Sequence, residues 1–195
     1  MNKKIFRFST VDVVEISGLV ALAVVLDTFV KFSIGSSGGS LNIATLPLFI
    51  IALRHGPFKA LIAGGFLFGL ITCLIDGYGF QTYPLEYLLP FGFPAILGFF
   101  SPYIYINYGK NKRGTILSYV IIVLVLVVWF VVRVLGATVD SMLFWEYEFG
   151  PAIIYNLTYC LPSMVAVLIL LGIGLMTINH LNHIMPSSYL MGYSK

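Results

Sequence analysis

The sequence predicts an all-α integral membrane protein with six transmembrane helices, and its apolar composition is the first reason. Of the 195 residues, 59% are hydrophobic and only 10% are charged, whereas soluble domains are about half apolar and about a quarter charged. The excess continues along the whole chain. We therefore expect one membrane domain over residues 1–195, embedded in the lipid bilayer of the cell membrane. The net charge of +3, without a long basic run, gives no indication of nucleic-acid binding.

The length of the apolar segments is the second reason, because a helix needs about 20 apolar residues to cross the hydrocarbon core. The second candidate is short and follows the flexible stretch GSSGGS, so its backbone needs cover from protein or a water-filled cavity. No small-residue cleavage site follows the basic N-terminus, so we expect the first span to be retained. The predicted spans are residues 11–32, 41–53, 57–75, 86–105, 115–138 and 152–177.

The charges between the spans predict the orientation of the bundle. Basic residues precede the first span and follow the second and fourth, while the other connections are acidic or neutral. Under the positive-inside rule this pattern places both termini in the cytoplasm. We interpret Arg54 and Lys59, at the cytoplasmic surface, as topology determinants in preference to contacts with a partner. The basic residues are Lys3, Lys4, Arg7, Arg54, His55, Lys59, Lys110, Lys112 and Arg113, and the acidic ones are Asp76, Asp140, Glu146 and Glu148.

Enzyme signatures are missing from the sequence. It has no HExxH, no GxSxG and no paired-aspartate metal motif, so we predict no catalytic residue, metal site or cofactor. His180 and His183 are spaced closely enough to bind a metal, but a solvated helix end is the favoured interpretation. We interpret Cys73 and Cys160 as small hydrophobic residues and not as a disulfide. Without an ATP-binding motif, a transporter would draw its energy from a gradient or a partner.

Glu86 is the most informative residue, because it lies in the apolar run PLEYLLPFGF. A carboxylate in hydrocarbon costs roughly 2.5 kcal/mol or more, so it needs a partner or a wet cavity. An internal ion pair with Arg133 is one interpretation, and a bound cation is the other. Polar and aromatic residues surround it in the sequence, between spans three and four or near the start of span six: Tyr78, Gln81, Tyr83, Tyr87, Trp145, Tyr147, Tyr155 and Asn156.

Together these residues predict an outward-facing cavity for a small, flat, cationic ligand, because aromatic rings stack on such a ligand and a carboxylate neutralises its charge. Aromatic side chains also gather at membrane interfaces without binding anything, and that alternative stays open for each ring. In span one, Ser17 and Ala21 are small residues four apart, which allows another helix to approach closely. The alternative is that small residues are simply common in membrane helices.

Five stretches, in chain order, resemble the S components of energy-coupling factor (ECF) vitamin transporters, and most closely the thiamine-specific ones. The first resembles the first helix of that family, with Ser17 and Ala21 at its AxxxA coupling motif. The second resembles the second helix, basic turn and third helix, and the third resembles the fourth helix with its Glu-Tyr pair. The last two resemble the loop tryptophan and the asparagine of the sixth helix. The stretches are EISGLVALAVVLD, ATLPLFIIALRHGPFKALIAGGFLFGL, LEYLLPFGFPAILGFF, RVLGATVDSMLFW and YNLTYCLPS.

The resemblance implies the S-component fold and a vitamin-binding function, with thiamine or a related small cationic vitamin as ligand. It implies that an ECF transmembrane coupling subunit and two ATPases are the partners, and that the S component topples in the bilayer to release its vitamin inside. An S component for another vitamin or precursor, such as a pyrimidine or pyridoxine-like compound, is the alternative. A further alternative, from a different functional class, is a small membrane enzyme or a scaffold subunit. The ligand-binding candidates are Glu86, Tyr87, Trp145, Asn156, Tyr83, Tyr78 and Tyr147.

The sequence also departs from the family pattern. The family's fifth-helix histidine, eight residues before the loop tryptophan, falls on Ala137, and a family tyrosine falls on Pro151. The loop over residues 33–40 lacks the family's aromatic residue, and the coupling motif reads SxxxA. Part of the family's ligand shell is therefore missing or moved. A relative of thiamine as ligand, a different binding geometry for thiamine, or a weaker affinity would each account for it.

Overall fold

The computed structural model describes residues 8–30, 32–33 and 40–193, and helices make up nearly all of this part. Two short strands, Phe32–Ser33 and Ser40–Leu41, form an antiparallel pair in which Phe32 lies opposite Leu41. The predicted helical class is correct, with this small hairpin added. In chain order the elements are α1 (Thr10–Phe29), β1 (Phe32–Ser33), β2 (Ser40–Leu41), α2 (Thr45–His55), α3 (Pro57–Asp76), α4 (Phe80–Asn107), α5 (Lys112–Phe144), α6 (Phe149–Ile184) and a 3₁₀ turn at Leu190–Gly192.

Among the described residues, four helices, α3 to α6, are long and apolar enough to cross a membrane. They support a multi-pass membrane protein, while the count of six spans and the cytoplasmic termini stay predictions. The ends of several helices differ from the predicted ones. The second helix begins at Thr45, after β2, and α5 and α6 extend past the predicted ends at both termini. Asp140 therefore lies on α5 and not in a loop. Lys3, Lys4 and Arg7, and residues 34–39 of the first connection, lie outside the described residues.

The short helix α2 lies at the centre of the core. Leu48, Phe49, Ile51, Ala52 and Leu53 are all at most 2% exposed, and together with the buried Pro47 they lie on most sides of the helix. A helix that is apolar all round is stable when other helices surround it. This explains how an 11-residue helix is accommodated in a membrane domain.

The helices α3 and α4 approach closely because glycine lies at their contact. A Cβ atom at Gly64 would collide with the backbone oxygen of Phe91. Both helices leave regular α geometry in this region, where Ile62–Phe68 and Tyr83–Leu88 form π-helical turns. Such wide turns occur frequently at functional sites. Here the π-helical turn of α4 carries Glu86.

Proline in α4 leaves a carbonyl that another helix must satisfy. Pro94 has no N–H, so the oxygen of Pro90 receives no hydrogen bond from the residue four positions later. The indole Nε1 of Trp129 on α5 donates to this oxygen at 2.8 Å. The Trp129 ring is fully buried. It packs edge to face with the ring of Phe49, with 5.5 Å between the two ring centroids. The carbonyl that Pro94 leaves free thus connects α4 to α5 through the buried indole of Trp129.

A buried cluster of charges corrects the interpretation of Arg54 and Lys59 as surface residues. Arg54 is 5% exposed and Lys59 is 0% exposed, because acidic residues of α1 pair with both. The Arg54 guanidinium donates to both carboxylate oxygens of Glu15, and Lys59 donates to Asp12 at 2.9 Å. His55 lies between the same two carboxylates. These bonds join α1 to the α2–α3 turn, so this basic turn has a structural role that its position in the sequence did not indicate.

Candidate functional site

A cavity of about 550 Å³ lies between α4, α5 and α6, beside β2 and the α3–α4 and α5–α6 turns. Four carboxylates line it, and Arg133 is the basic side chain among the described lining residues. The excess of negative charge favours a cationic ligand. Six of the seven predicted ligand residues contribute to its wall: Glu86, Tyr87, Trp145, Asn156, Tyr78 and Tyr147.

Glu86 and Arg133 both line the cavity, but no ion pair joins them among the residues that the structure describes. The Arg133 guanidinium lies over the Trp129 ring, 5.5 Å from its centroid. Its Nη1 atom is buried and has no hydrogen-bond partner within the described residues. The internal-pair interpretation of Glu86 is therefore not what the structure shows. A carboxylate on the wall of a polar cavity remains available to a ligand.

Aromatic side chains form the outer rim of the cavity. Trp145, just past the end of α5, and Tyr78, in the α3–α4 turn, meet edge to face with 5.7 Å between ring centroids. They are 48% and 46% exposed, and Tyr147 is 42% exposed. Exposed rings at a cavity mouth can close over a flat ligand and stack on it. The exposure of Trp145 also makes its fluorescence a sensitive reporter of such stacking.

Tyr87 and Asn156 are held in place by neighbours inside the protein. The Tyr87 hydroxyl donates to Asp76 at 3.1 Å, which connects α4 to the end of α3. The Asn156 amide donates to the Thr138 hydroxyl, and its Oδ1 accepts from Tyr159 at 2.6 Å. The side-chain amide of Asn156 is thus already engaged. Its orientation is fixed by α5 and by its own helix.

Tyr83 is the predicted ligand residue that does not line the cavity. Its hydroxyl donates to the backbone oxygen of Gly65 at 2.8 Å, and its ring stacks on Phe80 at 5.1 Å between centroids. Tyr83 is the first residue of the π-helical turn of α4, and its side chain contacts α3 and does not line the cavity. In this structure Tyr83 packs α4 against α3, and its contact with a ligand stays a prediction.

The two replaced family positions lie apart from the cavity wall. Ala137 on α5 is 2% exposed and presents only a methyl group. Pro151 is exposed near the start of α6. On that helix, however, Tyr155 and Tyr159 line the cavity and meet edge to face at 5.6 Å between centroids. Aromatic rings thus reach the cavity from α6 at positions that the family comparison did not suggest.

Three acidic residues on the cavity wall, Asp27, Asp76 and Asp140, were missed as ligand candidates. Asp27, near the end of α1, accepts a hydrogen bond from the Asn42 amide at 2.9 Å, and Asp140 lies on α5 at 1% exposure. The sequence assigned Asp27 to the interior of a span and Asp140 to a loop. The signal that could have found them is the same one that singled out Glu86, a carboxylate within an apolar run.

The predicted coupling residues lie on the outer face of the bundle. Ser17 and Ala21 are both exposed, and nothing lies within 4 Å of a Cβ atom built at the neighbouring Gly18. Val14 and Val25 continue this exposed stripe along α1 at 66% and 48% exposure. The stripe is smooth because its middle residues are small. A second helix could therefore approach it closely.

The remaining residues that the sequence singled out, two histidines and two cysteines, do not line the cavity. His180 and His183 are exposed near the end of α6, and the His183 ring stacks on Tyr105 at 4.5 Å between centroids. Within the described residues, no group of three or more metal-ligating side chains comes together. Cys73 and Cys160 are buried and carry no disulfide.

Comparison with known proteins decides the family. The family model described as thiamine transporter protein (Thia_YuaJ) matches residues 13–184. The chain belongs to the thiamine transporter family. It is 28% identical over 180 residues to the thiamine transporter ThiT of Bacillus subtilis (strain 168), an alignment that covers 86% of this chain and 91% of the relative.

A solved structure supports the same assignment. ThiT from Listeria monocytogenes matches the fold with a TM-score of 0.69 at 28% sequence identity, over 86% of this chain and 94% of that one. The resemblance to the thiamine-specific S components is therefore confirmed over nearly the whole chain. The cavity described above is thus part of a protein of a transporter family.

Proposed function

We propose that this protein binds thiamine in the cavity described above and delivers it across the cell membrane. The observation that carries the proposal is the composition of the cavity wall. Four carboxylates, Asp27, Asp76, Glu86 and Asp140, meet exposed aromatic rings in a space of about 550 Å³. Thiamine presents a cationic thiazolium ring and a flat aminopyrimidine ring. Both features match such a wall, through charge neutralisation and stacking.

In this proposal Glu86 neutralises the thiazolium, and Trp145 stacks on a ring of the vitamin. Tyr78 and Tyr147 cover the ligand at the cavity mouth, since both are exposed beside Trp145. Tyr87 and Asn156 shape the deeper wall, where their hydrogen bonds hold them rigid. Such rigid polar groups favour binding because little conformational freedom is lost when the ligand enters.

We further propose that the protein works with an ECF transmembrane coupling subunit and two ATPases, which supply the energy by ATP hydrolysis. The exposed small-residue stripe of α1, around Ser17 and Ala21, is the proposed contact surface. Close packing of helices within a membrane depends on such small residues. The proposed orientation has both termini in the cytoplasm and the cavity open to the outside.

A thiamine titration of the purified protein in detergent tests the ligand. Trp145 and Trp129 are the two tryptophans of the chain, and Trp129 is fully buried while Trp145 is 48% exposed. Stacking on Trp145 should quench a large part of the fluorescence in a saturable manner. Trp145→Phe should remove this quenching, while calorimetry on the same variant reports whether binding itself persists.

The absence of saturable binding by both methods would exclude thiamine as the ligand. A pyrimidine or pyridoxine-like compound that bound in its place, with Trp145 quenched, would assign the same cavity to another vitamin. This second candidate rests on the family positions that this chain replaces, Ala137 and Pro151.

A further inference from the structure

Asp140 presents an unpartnered acceptor to the cavity. Its side chain lies on α5 at 1% exposure, lines the cavity, and has an Oδ1 atom without a hydrogen-bond partner among the described residues. A buried polar atom without a partner destabilises a protein, so it is retained where it serves another purpose. The acceptor therefore points to a donor on the ligand.

The neighbouring polar groups do not supply that donor. The Thr138 hydroxyl donates to the oxygen of Val134 at 2.7 Å, and the Ser141 hydroxyl donates to the oxygen of Ala137 at 2.8 Å. Both hydroxyl protons are thus donated to backbone carbonyls of α5 and are not available to Asp140. The amide of Asn156, across the interface on α6, is directed at these two hydroxyl groups.

The basic side chain on the cavity wall does not supply the donor either, since it forms no ion pair with Asp140 among the described residues. Arg133 lies seven residues before Asp140 on the same helix, which is a separation of about 10 Å along the axis. Two other carboxylates of the wall, Asp76 and Glu86, can accept hydrogen bonds but cannot donate them when ionised. The Trp145 side chain does hydrogen-bond to the Asp140 carboxylate, but the Oδ1 atom stays without a partner among the described residues.

Asp140 lies close to Ala137, the position at which this chain lacks the family's fifth-helix histidine. It lies three residues after Ala137, hence on nearly the same face of α5 and one turn nearer the mouth. Ala137 has no polar group to offer a ligand. A carboxylate one turn away can replace the missing contact from the same helix.

We propose that Asp140 is a specificity-determining residue, whose Oδ1 accepts a hydrogen bond from the exocyclic amine of the ligand's aminopyrimidine ring. This inference rests on the proposed binding of thiamine and assigns one contact within it. Glu86 and Asp140 then have separate tasks. Glu86 neutralises the cationic ring, and Asp140 recognises the neutral amine by a charge-assisted hydrogen bond.

The test compares thiamine with oxythiamine, in which an oxo group replaces the amine. In the unmodified protein an oxo group facing the Asp140 carboxylate finds no donor and is repelled, so thiamine should bind far more tightly. Calorimetric titration of both ligands into the protein and into Asp140→Ala should show the affinity ratio falling about tenfold or more. Glu148→Gln, an exposed acidic position that does not line the cavity, is the matched control and should leave the ratio unchanged.

A second variant keeps the test independent of folding defects. In Asp140→Asn the amide can donate to the oxo group, so oxythiamine should bind more tightly to this variant than to the unmodified protein. A gain of binding cannot come from partial unfolding. If both variants weaken the two ligands equally, Asp140 acts through charge alone and the proposed contact is wrong. If the unmodified protein binds no thiamine, the proposed function fails instead, which is a separate outcome.

Discussion

Lys59 Nζ lies 2.9 Å from Asp12 Oδ2, and solvent reaches neither side chain. The bond connects the start of α1 to the α2–α3 turn. The Lys59 ammonium also donates to the hydroxyl of Ser188, and the Ser188 amide donates to Asp12. Three distant segments of the chain therefore meet at one ion pair, at the end of the bundle opposite the cavity.

Removing one partner of this pair should destabilise the fold strongly. Lys59→Met leaves Asp12 buried without its cation, and the loss of a buried pair's partner costs about 3–5 kcal/mol. Thermal unfolding in detergent should show a markedly lower midpoint for this variant. Lys110→Met, at an exposed position near the same end, is the matched control. An unchanged midpoint for Lys59→Met would mean that the pair contributes little.

The tail after α6 should contribute to stability through Tyr189. Pro102 has no N–H to donate to the oxygen of Gly98, and the Tyr189 hydroxyl donates to that oxygen at 3.3 Å. Tyr189→Phe leaves the buried carbonyl unsatisfied and should cost about 1–3 kcal/mol. Thermal unfolding should detect this loss, whereas Tyr103→Phe, on the same helix as Pro102 and only partly buried, should have little effect. Equal midpoints for both variants would argue against a structural role for the hydroxyl.

Glu86→Gln should weaken the binding of thiamine and leave the fold intact. The substitution removes the charge that faces the cationic ring, and interactions with charged groups are worth about 1.5–3 kcal/mol, or roughly tenfold to hundredfold in affinity. Calorimetry measures the affinity, and thermal unfolding without ligand measures the stability. A large drop in the unfolding midpoint would restore the interpretation in which Glu86 stabilises Arg133.

Bulky residues on the α1 stripe should impair transport without affecting binding. Ser17→Ile combined with Ala21→Ile fills the exposed groove where the coupling subunit is proposed to pack. Uptake of labelled thiamine by cells that contain the complete transporter should fall, while the purified protein should bind thiamine as before. Leu22→Phe is the control, since residue 22 is exposed on α1 but about 100° around the axis from Ala21. Normal uptake by the double variant would place the coupling contact elsewhere.

The sequence alone predicted the membrane class, the approximate helices and the chemical character of the cavity. Composition and apolar segment length are local properties, so they identify helices without knowledge of their neighbours. Glu86 and Trp145 were found in the same way, because a carboxylate in an apolar run and an aromatic residue near a helix end are visible in the sequence. The charge pattern was less informative, since it places a basic residue near a membrane surface but does not reveal its burial.

The tertiary structure alone decided which polar groups pair and which remain for a ligand. The partners of Lys59 are 47 and 129 residues away along the chain, and no local pattern connects such positions. Tyr83 contacts α3, where its hydroxyl donates to the oxygen of Gly65, 18 residues away along the chain. Asp140 became a candidate only when α5 proved to extend past the predicted end of the span, so that its carboxylate entered the cavity wall. Side-chain direction and long-range pairing depend on packing, and packing is settled by the folded chain as a whole.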